Sequence, residues 1–193
     1  MKRRLSVSKH FYTTKELYDE GFSYYRITKL VEEGTLIKLN KSLYENTLYN
    51  GETDDFSIAA SLVPKGVICM MSAARYYGLT NYLPDAVDVA IERSMKFPTV
   101  PSWPSINTWF FSNNRYETGI IEIRCEERAV RIYDCEKTVV DIVCFRKRIG
   151  IEETREVLTG YLRRRDRDLE KLHHYAELLV CHKILSTYLE VLL

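Results

Sequence analysis

TTKELYDEGFSYYRITKLVEEGTLIKLNKSLYE, residues 13–45, decides how the rest of this chain is read. It opens with two threonines, either of which can cap a helix, and Glu16 can reach back to the free amides of the first turn, the capping-box arrangement. Gly21 closes that short helix and Phe22 is an apolar plug in the turn. Ser23 is a suitable N-cap for a second helix that stops at Gly34. After Gly34 the run TLIKL alternates like a strand, Asn40-Lys41 supplies a turn, and SLYE returns as the other arm of a small hairpin.

Helical spacing divides the surface of the second helix. At about 100° per residue, Ile27, Leu30 and Val31, with Tyr24 one turn earlier, share one stripe and are expected to be buried. Tyr25 and Lys29 point almost opposite, Arg26 flanks them and Thr28 lies on the other flank. Glu32 and Glu33 sit exposed at the far end, where they can be held away from phosphate. Helix, glycine turn, helix, hairpin is the order of a winged helix-turn-helix, whose second helix lies in the DNA major groove with its N-terminal residues at the base edges. The expected DNA face is therefore Ser23, Tyr25, Arg26, Thr28 and Lys29. Arg26 can pair bidentately with a guanine edge, while Tyr25 and Thr28 can bond phosphate or touch a thymine methyl. Lys38 and Lys41 on the hairpin, and Lys2, Arg3 and Arg4 on the tail, suit phosphate contacts. Few residues precede Thr13, so the helix that usually opens such a module is expected to be short or absent.

Composition fits this reading without dictating it. Of 193 residues, 46% are apolar and 28% charged, which describes a globular protein rather than a disordered or collagen-like one. No apolar run approaches the roughly 18 residues needed to span a bilayer, and the basic start MKRRLSVSKHFYTT lacks the apolar core of a signal peptide. A cytoplasmic protein without membrane contact is expected. The net charge of +1 says little, but residues 1–50 hold nine Lys/Arg against six Asp/Glu, a mild excess where the DNA face is predicted. The five cysteines form no CxxC pair and read as small buried hydrophobes in a reducing compartment. His173, His174, Cys181 and His182 cluster loosely, at no zinc-site spacing, so neither metal nor other cofactor is expected.

From about residue 50 the character changes. NGETDD is a polar linker, FSIAASLV reads as a helix closed by Pro64-Lys65-Gly66, and SAARYYGL reads as another, Ser-capped and ended by Gly78. VDVAIER, SINTWFF, GIIEIRC and AVRIYD are strand-like, with FPTVPSWP and SNNRYETG as turn material. CEKTVVDIVCFRKR, IEETREVLTGYLRRR, DLEKLHHYAELL and HKILSTYLEVLL are helical. The expectation is an α+β chain: a winged helix at 1–50, then a mixed domain at 51–193 with a small central sheet and C-terminal helices.

Residues 13–45 resemble the N-terminal winged-helix domain of the AbiEi-type antitoxins of bacterial abortive-infection toxin–antitoxin pairs. The resemblance continues through IAASLVPKGVICMMSAARYYGLT (58–80) and VRIYDCEKTVVDIVCFRKRIG (130–150), in the family's order and over most of the chain. It implies an N-terminal DNA-binding domain and a C-terminal antitoxin domain, in a protein that represses its own operon and counters a nucleotidyltransferase-type toxin encoded beside it. Carried over by position, the DNA face is Tyr25–Lys29 with a wing at Lys38–Ser42, which adds Ser42. The partners implied are double-stranded operator DNA and the cognate toxin; oligomeric state is left open. The chain departs from the family in its short N-terminus and compact C-terminal part.

Two other constellations compete. Arg146-Lys147-Arg148 and Arg163-Arg164-Arg165 each fall at the C-terminal end of a predicted helix, where the dipole favours cations; the alternative is a second basic patch for nucleic acid or toxin. No P-loop, GxSxG or HExxH run is present. One enzyme pattern can be forced, a nuclease core from Asp85, Glu122 and Arg124, which requires the two carboxylates side by side around Mg²⁺. A regulator with no chemistry of its own is the preferred reading. A nuclease docked by its winged helix and a plain repressor without a toxin are the alternatives.

Overall fold

The computed structural model describes residues 4–51, 54–101, 103–125 and 128–192, so Lys2 and Arg3 of the expected DNA-contacting tail lie outside the described residues. The N-terminal part builds on its caps. Helix α1 (Thr14–Asp19) is opened by Thr13, whose hydroxyl accepts from the Glu16 amide at 3.2 Å while the Glu16 carboxylate accepts from the Thr13 amide at 2.7 Å. Helix α2 (Tyr24–Glu32) follows, capped by Ser23. Both helices end in the same knot: the Gly21 and Phe22 amides return to Tyr18 and Leu17, and the Gly34 and Thr35 amides to Val31 and Leu30. Gly21 and Gly34 have φ of 81° and 71°, a backbone that costs a side chain with Cβ about 1 kcal/mol or more.

Among the described residues no helix precedes α1; strand β1 (Phe11–Thr13) stands there instead. The hairpin is β2 (Leu36–Lys38) with β3 (Leu43–Asn46), and β1 joins its other side to give the antiparallel order β1-β3-β2. Leu5, Tyr12, Leu17, Phe22, Ile27, Leu30, Leu36 and Tyr44 form a core of their own. Phe11 and Leu43 instead join Ile58, Ala59 and Leu62 of α3 (Asp55–Leu62), with Leu39 packed alongside.

The remainder is a five-stranded mixed sheet of β4 (Val67–Ile68), β5 (Val87–Glu92), β6 (Ile106–Phe111), β7 (Ile120–Cys125) and β8 (Arg128–Tyr133), in the order β6-β5-β4-β8-β7. Both faces are covered, so alternate residues of one strand enter different cores. Val87, Val89 and Ile91 of β5 meet α3 with Val130 and Ile132 of β8. Ala90, Trp109, Phe111 and Tyr133 meet α4 (Met70–Tyr76) and α6 (Cys135–Cys144), backed by α8 (Ile151–Leu162), α9 (Leu169–Leu178) and α10 (His182–Leu192). The chain is thus α+β, with helices on both faces of a mixed sheet. Among the described residues no helix is long and apolar enough to cross a membrane.

Three local expectations are corrected. SNNRYETG contains a short helix, α5 (Asn113–Glu117), rather than only turn. The buried two-residue strand β4 falls in a stretch given no strand. Ser72 does not cap α4, which starts at Met70. The cap comes from β5: the Asp88 carboxylate accepts from the Met71 and Ser72 amides at 3.1 and 3.3 Å, and the Ser72 hydroxyl accepts from the Asp88 amide at 2.9 Å. Asn107 and Trp109 donate to the other oxygen of Asp88 at 2.6 and 2.8 Å. Asp134 caps α6, accepting from the Lys137 amide at 2.9 Å.

Candidate nucleic-acid interface

Helix α2 presents an outer face that its packing leaves open. Ile27 and Leu30 hold it to the N-terminal core. Ser23, Tyr25, Thr28 and Lys29 are exposed and Arg26 is half-buried. Tyr24 corrects the helical-wheel expectation: it is 74% exposed, beside Tyr25 at 76%. Phe22, the buried plug of the α1–α2 turn, already belongs to the core at this end of α2, so Tyr24 joins the outer face. The leading end of α2 therefore carries two adjacent exposed phenols. Two hydroxyls on this face have local duties: Ser23 Oγ accepts from the Arg26 amide at 3.3 Å and Thr28 Oγ1 donates to the Tyr24 carbonyl at 3.1 Å.

Glu33 is not held apart from the cations. Its carboxylate lies 3.6 Å from Arg26 Nη1 and 3.9 Å from Lys29 Nζ. Such exposed pairs are each worth about 0–1 kcal/mol, little enough that a phosphate can displace them. The sequence had placed Glu33 by position along the helix and overlooked that two long cationic side chains reach back to it.

The hairpin turn is tied by Asn40, whose Oδ1 accepts from the Ser42 and Leu43 amides at 2.9 and 3.0 Å. Lys38 is exposed, its Nζ 5.9 Å from the Tyr44 ring centre. Lys41 and Ser42 are exposed too, but they border a groove of about 370 Å³ shared with Ser61, Leu62, Pro64 and residues 97–99. With Leu39 packed on the α3 core, the tip of this hairpin rests on the part of the chain that follows residue 54. Arg4 is exposed.

The two C-terminal basic runs are not brought together. Arg146–Arg148 lie in a one-turn helix, α7 (Arg146–Ile149), and Arg163–Arg165 follow the other end of α8, a helix about 18 Å long at 1.5 Å per residue. Much of their charge has internal work. Arg148 lies over the Trp109 ring at 3.6 Å, and Arg164 donates to the Tyr77 carbonyl at 2.7 Å and pairs with Asp166. Arg163 and Arg155 border a groove of about 680 Å³ with Glu152, Glu153 and Glu156. Lys147 and Arg165 are exposed. A single second basic patch is not formed.

The nuclease arrangement fails on topology. Asp85 precedes β5, whereas Glu122 is on edge strand β7, opposite Arg131, and strands β4 and β8 stand between. Among the described residues no three His, Cys, Asp or Glu side chains are grouped to hold a metal ion. His173 and His182 have ring centres 5.7 Å apart. Buried charge is concentrated elsewhere: Asp141 on α6 pairs with Lys137 of the same helix and with Arg115 of α5. Asp134 and Glu136 meet Lys171 at 3.1 and 3.3 Å, and Tyr175 and Tyr161 donate to them, fastening α6 to α8 and α9.

No family model and no curated protein matches the chain. Among solved structures it is similar in fold to the RV2827C protein from Mycobacterium tuberculosis, with a TM-score of 0.53 at 15% identity over 95% of this chain and 76% of that one.

Proposed function

We propose that this chain is a sequence-specific DNA-binding autorepressor and the antitoxin of an AbiEi-like pair, with residues 1–50 as a winged helix-turn-helix. The observation that carries the DNA reading is α2 itself. It follows a glycine turn, leads into an antiparallel hairpin, and offers Tyr24, Tyr25, Arg26, Thr28 and Lys29 at its open N-terminal end. In such a module this end enters the major groove. Arg26 reads a guanine edge, Lys29 and Lys38 hold phosphates, and the phenols bond phosphate or cover a thymine methyl. The antitoxin reading rests on the ordered sequence resemblance from residue 13 to residue 150. It requires no cofactor and no catalytic group in this chain.

The test is binding of the full chain to its own promoter by fluorescence anisotropy across a salt series. Arg26→Ala should weaken specific binding by about 1–3 kcal/mol and relax preference at one base pair. Lys29→Ala should weaken all sequences alike and reduce the salt slope by about one. Unchanged binding in the double variant refutes the face. The antitoxin half is tested separately, by whether co-expression restores growth to cells expressing a nucleotidyltransferase encoded beside this gene. Repression without rescue would leave a plain repressor.

A further inference from the structure

Five cysteines lie in the part of the chain after residue 50, and two of them come to one turn of α6. Cys144 ends α6, and Cys181 occupies the turn between α9 and α10. Each thiol is the leading influence on the other. Cys181 Sγ also lies 3.9 Å from the carbonyl of Val140, one helical turn before Cys144, which sets both sulfurs on the same turn of α6. A cation completes the group: Arg115 Nη2 donates to Cys144 Sγ at 3.6 Å and to the Leu179 carbonyl at 3.0 Å, while Nη1 pairs with Asp141. The guanidinium thus bridges α5, α6 and the turn that carries Cys181.

The turn itself is held against local preference. Val180 has φ of 57°, in the position where glycine ends α1 and α2, and its side chain is 91% exposed. The Val180 and Cys181 amides return to Glu177 and Ala176, which directs Cys181 inward. A β-branched residue in left-handed backbone is strained and persists only where its surroundings fix it.

We propose that Cys144 and Cys181 are a peroxide-reactive thiol pair, Cys144 attacking and the buried Cys181 resolving. Cys144 is the half-buried member and the one that Arg115 touches. Cys181 is the largest influence on it and, with the charge of Arg115, outweighs burial and the nearby Asp141 to bring Cys144 down to about 7. Cys181 is pushed the other way by Cys144 and by burial, with Arg115 and Arg146 opposing. In the first step the Cys144 thiolate attacks one oxygen of a hydroperoxide; the O–O bond breaks, hydroxide or alkoxide leaves, and Cys144 becomes a sulfenic acid. Cys181 then loses its proton, its sulfur displaces hydroxide from Cys144, and the departing hydroxide takes up that proton as water. The two thiols give up two electrons and the peroxide takes both; hydrogen peroxide yields one disulfide and two waters.

The experiment is peptide mapping of the reduced full chain after equimolar hydrogen peroxide. A Cys144–Cys181 linked peptide is expected as the main product, and in Cys181→Ser a dimedone adduct at Cys144. Alkylation of Cys144 by iodoacetamide should rise only about twofold between pH 7 and 9, against about fiftyfold for a thiol at the usual 9.0. That ratio is internal to one site, so limited access does not affect it. Links among Cys69, Cys125 and Cys135 instead, no link at all, or a fiftyfold rise at Cys144 would overturn the proposal. The wild-type map and profile stand even where Cys181→Ser does not fold.

Discussion

Asp141 is where a small change should do most damage. Its carboxylate is 1% exposed and neutralises two cations, Lys137 at 0% and Arg115 at 15% side-chain exposure. Asp141→Ala leaves both cations facing a cavity, and breaking a buried pair from one side costs about 3–5 kcal/mol. A domain of ordinary stability holds about 5–15 kcal/mol in total, so roughly a fifth or more of it should go. Lys137→Met is the contrasting variant. It keeps the Arg115–Asp141 pair and puts an apolar stem of similar volume against the Tyr133 and Phe111 rings, 3.9 and 5.1 Å from the present ammonium. Its cost should be about 1 kcal/mol or less, and a gain is within reach. Urea unfolding followed by circular dichroism separates the two, provided the m-value is unchanged. The variants also differ in pH response. Burial holds Lys137 below the ordinary lysine range, with Asp141 opposing. Without Asp141 the folded pKa falls further below the unfolded one, so over that interval the unfolded chain binds more protons and stability rises with pH. Asp141→Ala should therefore recover part of its loss between neutral pH and the unfolded lysine pKa of about 10.4. Equal damage from Lys137→Met, or a loss in Asp141→Ala that grows with pH over this interval, refutes the reasoning.

Two further outcomes are expected. Glu33→Gln frees Arg26 and Lys29 from a competing carboxylate; promoter binding should tighten about two- to fivefold, the worth of two exposed pairs, and weaker binding would show that Glu33 positions them instead. Val180→Gly removes a strained, exposed side chain and should raise the urea midpoint by about 1 kcal/mol equivalent, whereas a lowered midpoint would show that Val180 contributes contacts of its own.

Much of the local structure could be read from single residues because their chemistry is local. The Thr13–Glu16 box and the glycines at 21 and 34 act within a few residues of themselves, and six strands, β2, β3 and β5 to β8, fall in runs read as hairpin or strand-like. What escaped depended on distant partners. β4 is two residues long and is defined only by pairing with β5 and β8. The cap of α4 lies sixteen residues away on another strand. Tyr24 was misplaced because a helical wheel knows nothing of Phe22, already seated in the same core. Arg148 and Arg164 looked like spare surface charge until Trp109 and the Tyr77 carbonyl were beside them. The encounter of Cys144 with Cys181 had no counterpart in spacing at all.

The reach of Asp88 from β5 to the first amides of α4 has a kinetic meaning. α4 has seven residues, well short of the length at which an isolated helix holds together in water. Its leading amides acquire their acceptor only when β5 is in place, and the Ser72 hydroxyl acquires its donor at the same moment. Helix and strand should therefore consolidate in one event, and deuterium exchange at Met71 and Ser72 should keep pace with exchange in β5 rather than with that of the other short helices.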